Sequence, residues 1–215
     1  MAIRVGINGA GRIGRAFLKL AFEKPELEVV AINDLTSIDN IAYLLKYDSV
    51  YGKSNLDVKV EGGNLVVNGK TVRYVSEKEP QKLPWGEMNV DVVVESTGLF
   101  TDYEKAAMHL EAGAKKVVIS APAKGAPRSE TEGMVLMEIN CDSLQNKIIT
   151  SNASCTTNAS SPVIAILHEK LGIEKAILNT THAYTASQAL VDGPSKKDMR
   201  EGRAAAMNMV PSSTG

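Results

Sequence analysis

The residues best suited to covalent chemistry lie in one short stretch, Ser151-Asn152-Ala153-Ser154-Cys155-Thr156-Thr157-Asn158. Cys155 stands there among small hydroxyl and amide side chains, and the helix-patterned apolar run Val163-Ile164-Ala165-Ile166-Leu167 follows a few residues on. At a helix start the first backbone N–H groups lack intrahelical partners, and the positive end of the macrodipole favours a thiolate. Cys155 is therefore a candidate nucleophile, and His182 in Thr181-His182-Ala183-Tyr184 is its candidate base. A free cysteine is also commonly a small buried hydrophobe, so the local residues leave both roles open. His168 reads as a surface residue, because Ile164, Leu167 and Leu171 carry the apolar face of its helix; His109, late in its own helix, suits the dipole there.

A second set of residues suits a phosphate-bearing ligand. Gly9-Ala10-Gly11-Arg12-Ile13-Gly14 follows a short apolar strand and opens a helix with apolar positions at Ile13, Phe17, Leu18, Ala21 and Phe22. A second strand over 27–33 then ends at Asp34, 20 residues beyond Gly14. The first glycine permits the tight turn, the second lets the backbone approach a pyrophosphate, and the third lets helix and strand pack closely. The pyrophosphate would rest on the helix N-terminus, and the Asp34 carboxylate would accept from ribose hydroxyls while repelling the extra phosphate of NADP. Thr97, Gly98 and Ser120 fall at later strand ends, where α/β proteins place ligands; each suits a cofactor contact or ordinary loop chemistry equally well.

The elements that position these residues alternate. Helices are expected over 38–45 and 101–112, and strands over 88–95, 116–120, 134–137, 147–150 and 173–181. Three short strands around 58–60, 64–67 and 71–75, broken by Gly62-Gly63 and Asn68-Gly69, form a small antiparallel insertion. The cysteine helix is expected to stop at Gly172, with a kink or a late true start at Pro162, and 192–208, with Lys196, Lys197, Arg200 and Arg203, to be a solvated loop. The domains expected are a cofactor-binding 1–151 and a partial second domain 152–215.

Composition excludes other classes. At 44% hydrophobic and 23% charged the chain suits a globular protein, and its formal net charge of -1 offers no footprint for nucleic acid or an anionic membrane. Two cysteines are too few for a disulfide framework, which suits a reducing compartment. No metal is expected. With no apolar run of membrane-spanning length and no signal-peptide pattern at the N-terminus, the expected location is the cytoplasm.

Taken together, Gly9 to Gly14, Ile32-Asn33-Asp34-Leu35, Glu95-Ser96-Thr97-Gly98, the Cys155 stretch, Thr180-Thr181-His182-Ala183-Tyr184-Thr185, Gly202-Arg203-Ala204-Ala205-Ala206 and Pro211-Ser212-Ser213-Thr214-Gly215 resemble the glyceraldehyde-3-phosphate dehydrogenase family. The resemblance implies an α/β fold: a Rossmann-type doubly wound parallel sheet with a small antiparallel insertion, followed by an incomplete α+β catalytic domain. It implies an NAD-dependent, phosphorylating oxidation of glyceraldehyde 3-phosphate, with Cys155 as nucleophile, His182 as base and inorganic phosphate as second substrate. Its phosphate sites carry over to Ser154, Thr156, Thr185, Thr214 and Gly215, and its cofactor positions to Asn8, Arg12, Ile13, Asp34, Thr97 and Ser120. Asp34-Leu35 and Pro194 resemble the NAD-preferring pattern. The 192–208 segment resembles a loop that lines the neighbouring subunit's cofactor site in a homotetramer.

Three departures from the family pattern stand out. Ala159 replaces a second cysteine, Glu138 stands where the family has glycine, and the sequence ends at Gly215, partway through the family's catalytic domain. Two further readings accompany the resemblance: an erythrose-4-phosphate dehydrogenase, which shares fold and nucleophile, and a truncated NAD-binding fragment without turnover.

Overall fold

The computed structural model describes residues 1–196 and 198–214. The chain divides into two compact units, Met1–Ala153 and Ser154–Gly215. The first is built on alternating strands and helices: β1 (Ile3–Asn8), α1 (Arg12–Ala21), β2 (Leu27–Asn33) and α2 (Ile38–Lys46), then a two-stranded ladder of β3 (Tyr47–Asp48) and β4 (Gly52–Lys53). Next come β5 (Val58–Glu61), β6 (Asn64–Val67), β7 (Lys70–Val75), β8 (Val92–Glu95), α3 (Tyr103–Glu111), β9 (Lys116–Ile119), β10 (Glu132–Met134) and β11 (Ile149–Ser151). Nine of these strands form one sheet in the order β10-β11-β9-β8-β1-β2-β7-β6-β5.

The inner strands are apolar on both faces because helices and loops cover both. Ile7, Leu18, Ile32, Ile41 and Leu45 pack in one cluster, and Ala31, Trp85, Val90 and Val93 in another; buried parallel strands require such continuous apolar runs. β1 pairs in parallel with β2 on one side and with β8 on the other. The strand order thus reverses beside β1, which opens a crevice at the carboxyl ends of β1 and β8. The glycine loop enters that crevice directly from β1.

The expected antiparallel insertion forms, and its turns explain why. Gly62 and Gly63 take φ of +56° and +75°, and Asn68 and Gly69 take +48° and +78°, the pair of left-handed residues that a two-residue hairpin requires. β7 then also pairs in parallel with β2, so the insertion extends the main sheet.

Other expectations are corrected. The strand expected over 88–95 is shortened to β8, because Asn89 takes φ of +50° and ends the extension. The strand expected over 134–137 stops at Met134: the Asn140 side chain accepts from Leu136 N at 2.7 Å and donates to Met134 O at 3.0 Å, capturing groups a ladder would use. The 147–150 strand is β11, shifted to Ile149–Ser151. His109 sits in the last turn of α3 as expected, but it is fully buried, with Trp85 Nε1 donating to its Nδ1 at 3.0 Å. That contact spans 24 residues, so no local pattern announces it.

Glu138 now has a physical account. Its φ is +63°, in the left-handed region where a side chain is strained and glycine is not. Glu138→Gly is expected to stabilise the chain by about 0.5–1 kcal/mol, the relieved strain exceeding glycine's extra chain entropy. Thermal unfolding reads this as a rise of roughly 1–4 °C; an unchanged or lower midpoint would show that no strain is held there.

The second unit contains α4 (Cys155–Leu171), which begins at Cys155 itself and runs through Pro162 to Gly172, where φ of +74° ends it. Of the kink or late start expected at Pro162, the late start is ruled out, since the Ser154 cap fixes an earlier one. His168 is exposed as expected, although the face carrying Ile164, Leu167 and Leu171 is exposed as well rather than packed. The run 173–181 forms no strand, because no strand of the described residues pairs with it. The 192–208 segment folds on itself in short 3-10 turns at Met199–Gly202 and Ala205–Met207, tied by Gly193 N to Gly202 O at 2.8 Å and Arg203 to Asp192 at 2.9 Å. Lys197 lies outside the described residues. No helix among the described residues is long and apolar enough to cross a membrane.

Candidate active site

In the first unit the crevice beside β1 is a pocket of roughly 560 Å³ whose walls include Asn8, Gly9, Gly11, Asn33, Asp34, Glu77, Ser96 and Thr97. The glycines divide the work as their spacing implies. Gly9 takes φ of +96°, and a Cβ there would lie 2.8 Å from the Ser96 carbonyl carbon. A Cβ on Gly14 would fall far inside contact distance of the Gly9 carbonyl oxygen, so helix and turn meet only because it is absent. Around Gly11 nothing lies within 4 Å of a Cβ position; that space is open to a ligand.

The Asp34 carboxylate is pinned across this loop, accepting from Ala10 N at 2.7 Å and Thr36 N at 2.8 Å. Each oxygen keeps a second lone pair for a ribose hydroxyl. The first turn of α1 holds no acidic side chain and its N-cap Gly11 supplies no side-chain bond, which leaves N–H groups to an anion. The buried Ser96 hydroxyl, on the pocket wall, has no protein partner. This cradle, these donors and this carboxylate fit a dinucleotide.

The other expected cofactor residues are placed differently. Asn8 lines the pocket, but its amide is engaged inward with Glu95 and Asn33. Arg12 reaches Asp48 at 3.7 Å, Ile13 is exposed on the first turn of α1, and Gly98 takes φ of +73° in the loop after β8; none of the three forms the pocket wall. Ser120 donates to the Glu95 carbonyl at 2.9 Å. The wall from Glu77 to Gln81 was not foreseen, since a polar loop carries no periodic signal.

In the second unit the candidate nucleophile, Cys155, is exposed rather than buried. Cys155 occupies the first position of α4, capped by Ser154, whose Oγ accepts from Thr157 N at 2.9 Å. Its Sγ lies 3.2 Å from His182 Nε2. His182 Nδ1 faces the Ala183 carbonyl at 2.6 Å, so Nδ1 carries a proton and Nε2 is left to the sulfur. His182 lowers the Cys155 thiol below its usual range, with burial opposing and the Thr156 amide assisting. The Ala183 carbonyl, followed by Cys155, raises the imidazole. Both shifts favour a thiolate–imidazolium pair.

The pair opens on a pocket of roughly 390 Å³ shared with Ser154, Thr156, Thr185 and Thr214. Thr214 Oγ1 donates to Thr156 Oγ1 at 2.7 Å, and Thr185 Oγ1 lies 2.9 Å from Ser187 Oγ. Gly215, the remaining expected phosphate residue, lies outside the described residues. Sequence reasoning assigned no role to Thr180, whose buried Oγ1 lacks a protein partner and lines the same pocket. Among the described residues no lysine or arginine lines it, so an anion there would be held by hydroxyls and amides.

Comparison with known proteins decides the family. A model described as glyceraldehyde 3-phosphate dehydrogenase, NAD binding domain, matches residues 3–103, and its C-terminal domain counterpart matches 154–215. A cytosolic glyceraldehyde-3-phosphate dehydrogenase of Trypanosoma brucei brucei is 52% identical over 215 residues, covering 100% of this chain and 63% of the relative. The Geobacillus stearothermophilus enzyme of that name is 51% identical, with 63% of it covered, and that of Haemophilus influenzae 49%, with 62% covered. The chain belongs to the glyceraldehyde-3-phosphate dehydrogenase family. It spans about 63% of the length of these relatives. The glycine cradle lies in the region matched to the NAD-binding domain, and the Cys155–His182 pair in the region matched to the C-terminal one.

Proposed function

We propose that this chain serves the NAD-dependent, phosphorylating oxidation of glyceraldehyde 3-phosphate to 1,3-bisphosphoglycerate. The observation that carries this reading is the 3.2 Å Cys155–His182 pair, in a pocket walled by hydroxyls suited to phosphate oxygens. The Cys155 thiolate adds to the aldehyde carbon as the C=O π bond breaks, and the oxygen takes the proton of the His182 imidazolium Nε2–H to give a hemithioacetal, leaving Nε2 free. His182 Nε2 then removes that hydroxyl proton as the C–H bond breaks and the thioester forms. When bound, NAD supplies the acceptor for the hydride. Phosphate oxygen next attacks the thioester carbonyl, the C–S bond breaks, and the Cys155 thiolate is regenerated with the acyl phosphate released.

Asp34, Gly9, Gly11 and Thr97 would hold the dinucleotide, and Ser154, Thr156, Thr185 and Thr214 the substrate and attacking phosphates. A homotetramer in the cytoplasm completes the reading, with the 192–208 segment contributing to a subunit contact. Its cohesion supports that role, since Asp192–Arg203 and Asp198–Arg200 pairs hold the segment in shape.

The competing aldehyde is erythrose 4-phosphate, longer by one hydroxymethylene. NADH formation measured with each substrate is expected to give kcat/KM at least about tenfold higher for glyceraldehyde 3-phosphate, the range one such group commands in a fitted pocket. The reverse preference would assign the chain to the other reaction.

A further inference from the structure

Beneath the dinucleotide pocket lies a buried polar cluster that the proposed chemistry does not use. Glu95, the last residue of β8, is 1% exposed, and His109 on α3 is fully buried. Four donors end on the Glu95 side chain. Oε2 accepts from Asn8 Nδ2 at 2.6 Å and faces His109 Nε2 at 3.0 Å; Oε1 accepts from Thr97 N at 2.8 Å and from the Thr97 hydroxyl.

The directions of the His109 and Asn8 bonds are forced from outside the cluster. An indole N–H only donates, so Trp85 makes His109 Nδ1 an acceptor and leaves the ring proton on Nε2, facing Glu95. The Glu77 backbone N–H donates to Asn33 Oδ1 at 2.8 Å; Asn33 Nδ2 therefore donates to Asn8 Oδ1 at 2.7 Å, which turns Asn8 Nδ2 toward Glu95. Two chains with fixed polarity thus converge on one carboxylate, the side-chain group whose lone pairs all accept. Asn8, Asn33, Glu77 and Thr97 line the pocket, whereas Glu95 and Trp85 stand behind it.

We propose that Glu95 is a positioning residue for the dinucleotide, setting Asn8 and Thr97 in place for the bound cofactor, with Trp85 and His109 fixing its remaining donor. Resting as it does on the NAD reading above, the assignment adds a requirement for an acceptor-only group behind the pocket. Glu95→Gln replaces one acceptor oxygen with an NH₂ group, so whichever way the amide turns, one of the two donor pairs meets another donor. Thr97→Val deletes one of those donors.

The test is a double-mutant cycle on NAD affinity by calorimetry, with the folding of each variant checked by circular dichroism. Glu95→Gln is expected to weaken NAD binding about tenfold and Thr97→Val about threefold to tenfold; the double variant should be no more than about twofold weaker than Glu95→Gln, because the two act through one contact. ¹⁵N NMR of His109 in the unaltered protein supplies a second readout, with Nδ1 expected to be the unprotonated nitrogen. Tight binding by Glu95→Gln, additive losses, or a proton on Nδ1 would overturn the assignment while leaving the NAD reading intact. Failure of the unaltered protein to bind NAD would overturn both.

Discussion

Cys155→Ser is expected to lower aldehyde oxidation by at least about 10³-fold, because a serine hydroxyl at the start of α4 is neither ionised near neutrality nor comparably nucleophilic. NAD affinity should stay within about twofold, since no residue of the glycine cradle is altered. The companion observation is the pH dependence of thiol alkylation. Cys155 is lowered chiefly by His182, so its thiolate persists on acidification past the point where an ordinary thiol is protonated, and is lost only as pH falls through the lowered value. Iodoacetamide should therefore label Cys155 at a lower pH than it labels a free cysteine. His182→Asn removes the raised imidazole and should move the Cys155 profile upward, slowing alkylation at neutral pH several-fold. A Cys155 profile no lower than that of a free cysteine, or one indifferent to His182→Asn, would remove the ion pair from the mechanism.

What was legible in the sequence was whatever depends on local backbone chemistry. The spacing of Gly9, Gly11 and Gly14 speaks directly of a turn, a close approach and a helix contact, because each requirement is met within a few residues. Gly62-Gly63 and Asn68-Gly69 declared their hairpins for the same reason. Elements that depend on distant partners were misread. The 173–181 run has strand-like residues, yet a strand exists only when another pairs with it, and none of the described residues does. His109 sits on an ordinary helical position, and its burial comes from Trp85 and Glu95, each far away in sequence. Over 134–137 a single side chain, Asn140, outcompeted the ladder. The resemblance supplied Ser154, Thr156, Thr185 and Thr214 as one site; spacing alone could not have joined residues as far apart as Thr156 and Thr214.

The glycine cradle yields the second large effect, and two substitutions within it separate packing from binding. Gly14→Ala places a methyl group inside contact distance of the Gly9 carbonyl oxygen, with Ile7 Cγ2 a further 3.2 Å neighbour. Neither the carbonyl nor the helix can turn aside like a flexible side chain, so α1 must shift from the end of β1, at about 3 kcal/mol or more for an overpacked backbone contact. The chain should melt at markedly lower temperature and lose NAD affinity along with its fold. Gly11→Ala makes the contrast: the N-cap already has φ of -66°, open to any residue, and nothing in the protein lies within 4 Å of the new methyl. Stability should change by no more than about 0.5 kcal/mol, as for an open surface site. NAD binding should nevertheless weaken by about 10²-fold, because the methyl fills the space left for the pyrophosphate. Denaturant titration and calorimetric NAD binding on both variants would check this. If Gly11→Ala bound NAD as tightly as the unaltered chain, the open space at Gly11 would not be the pyrophosphate site.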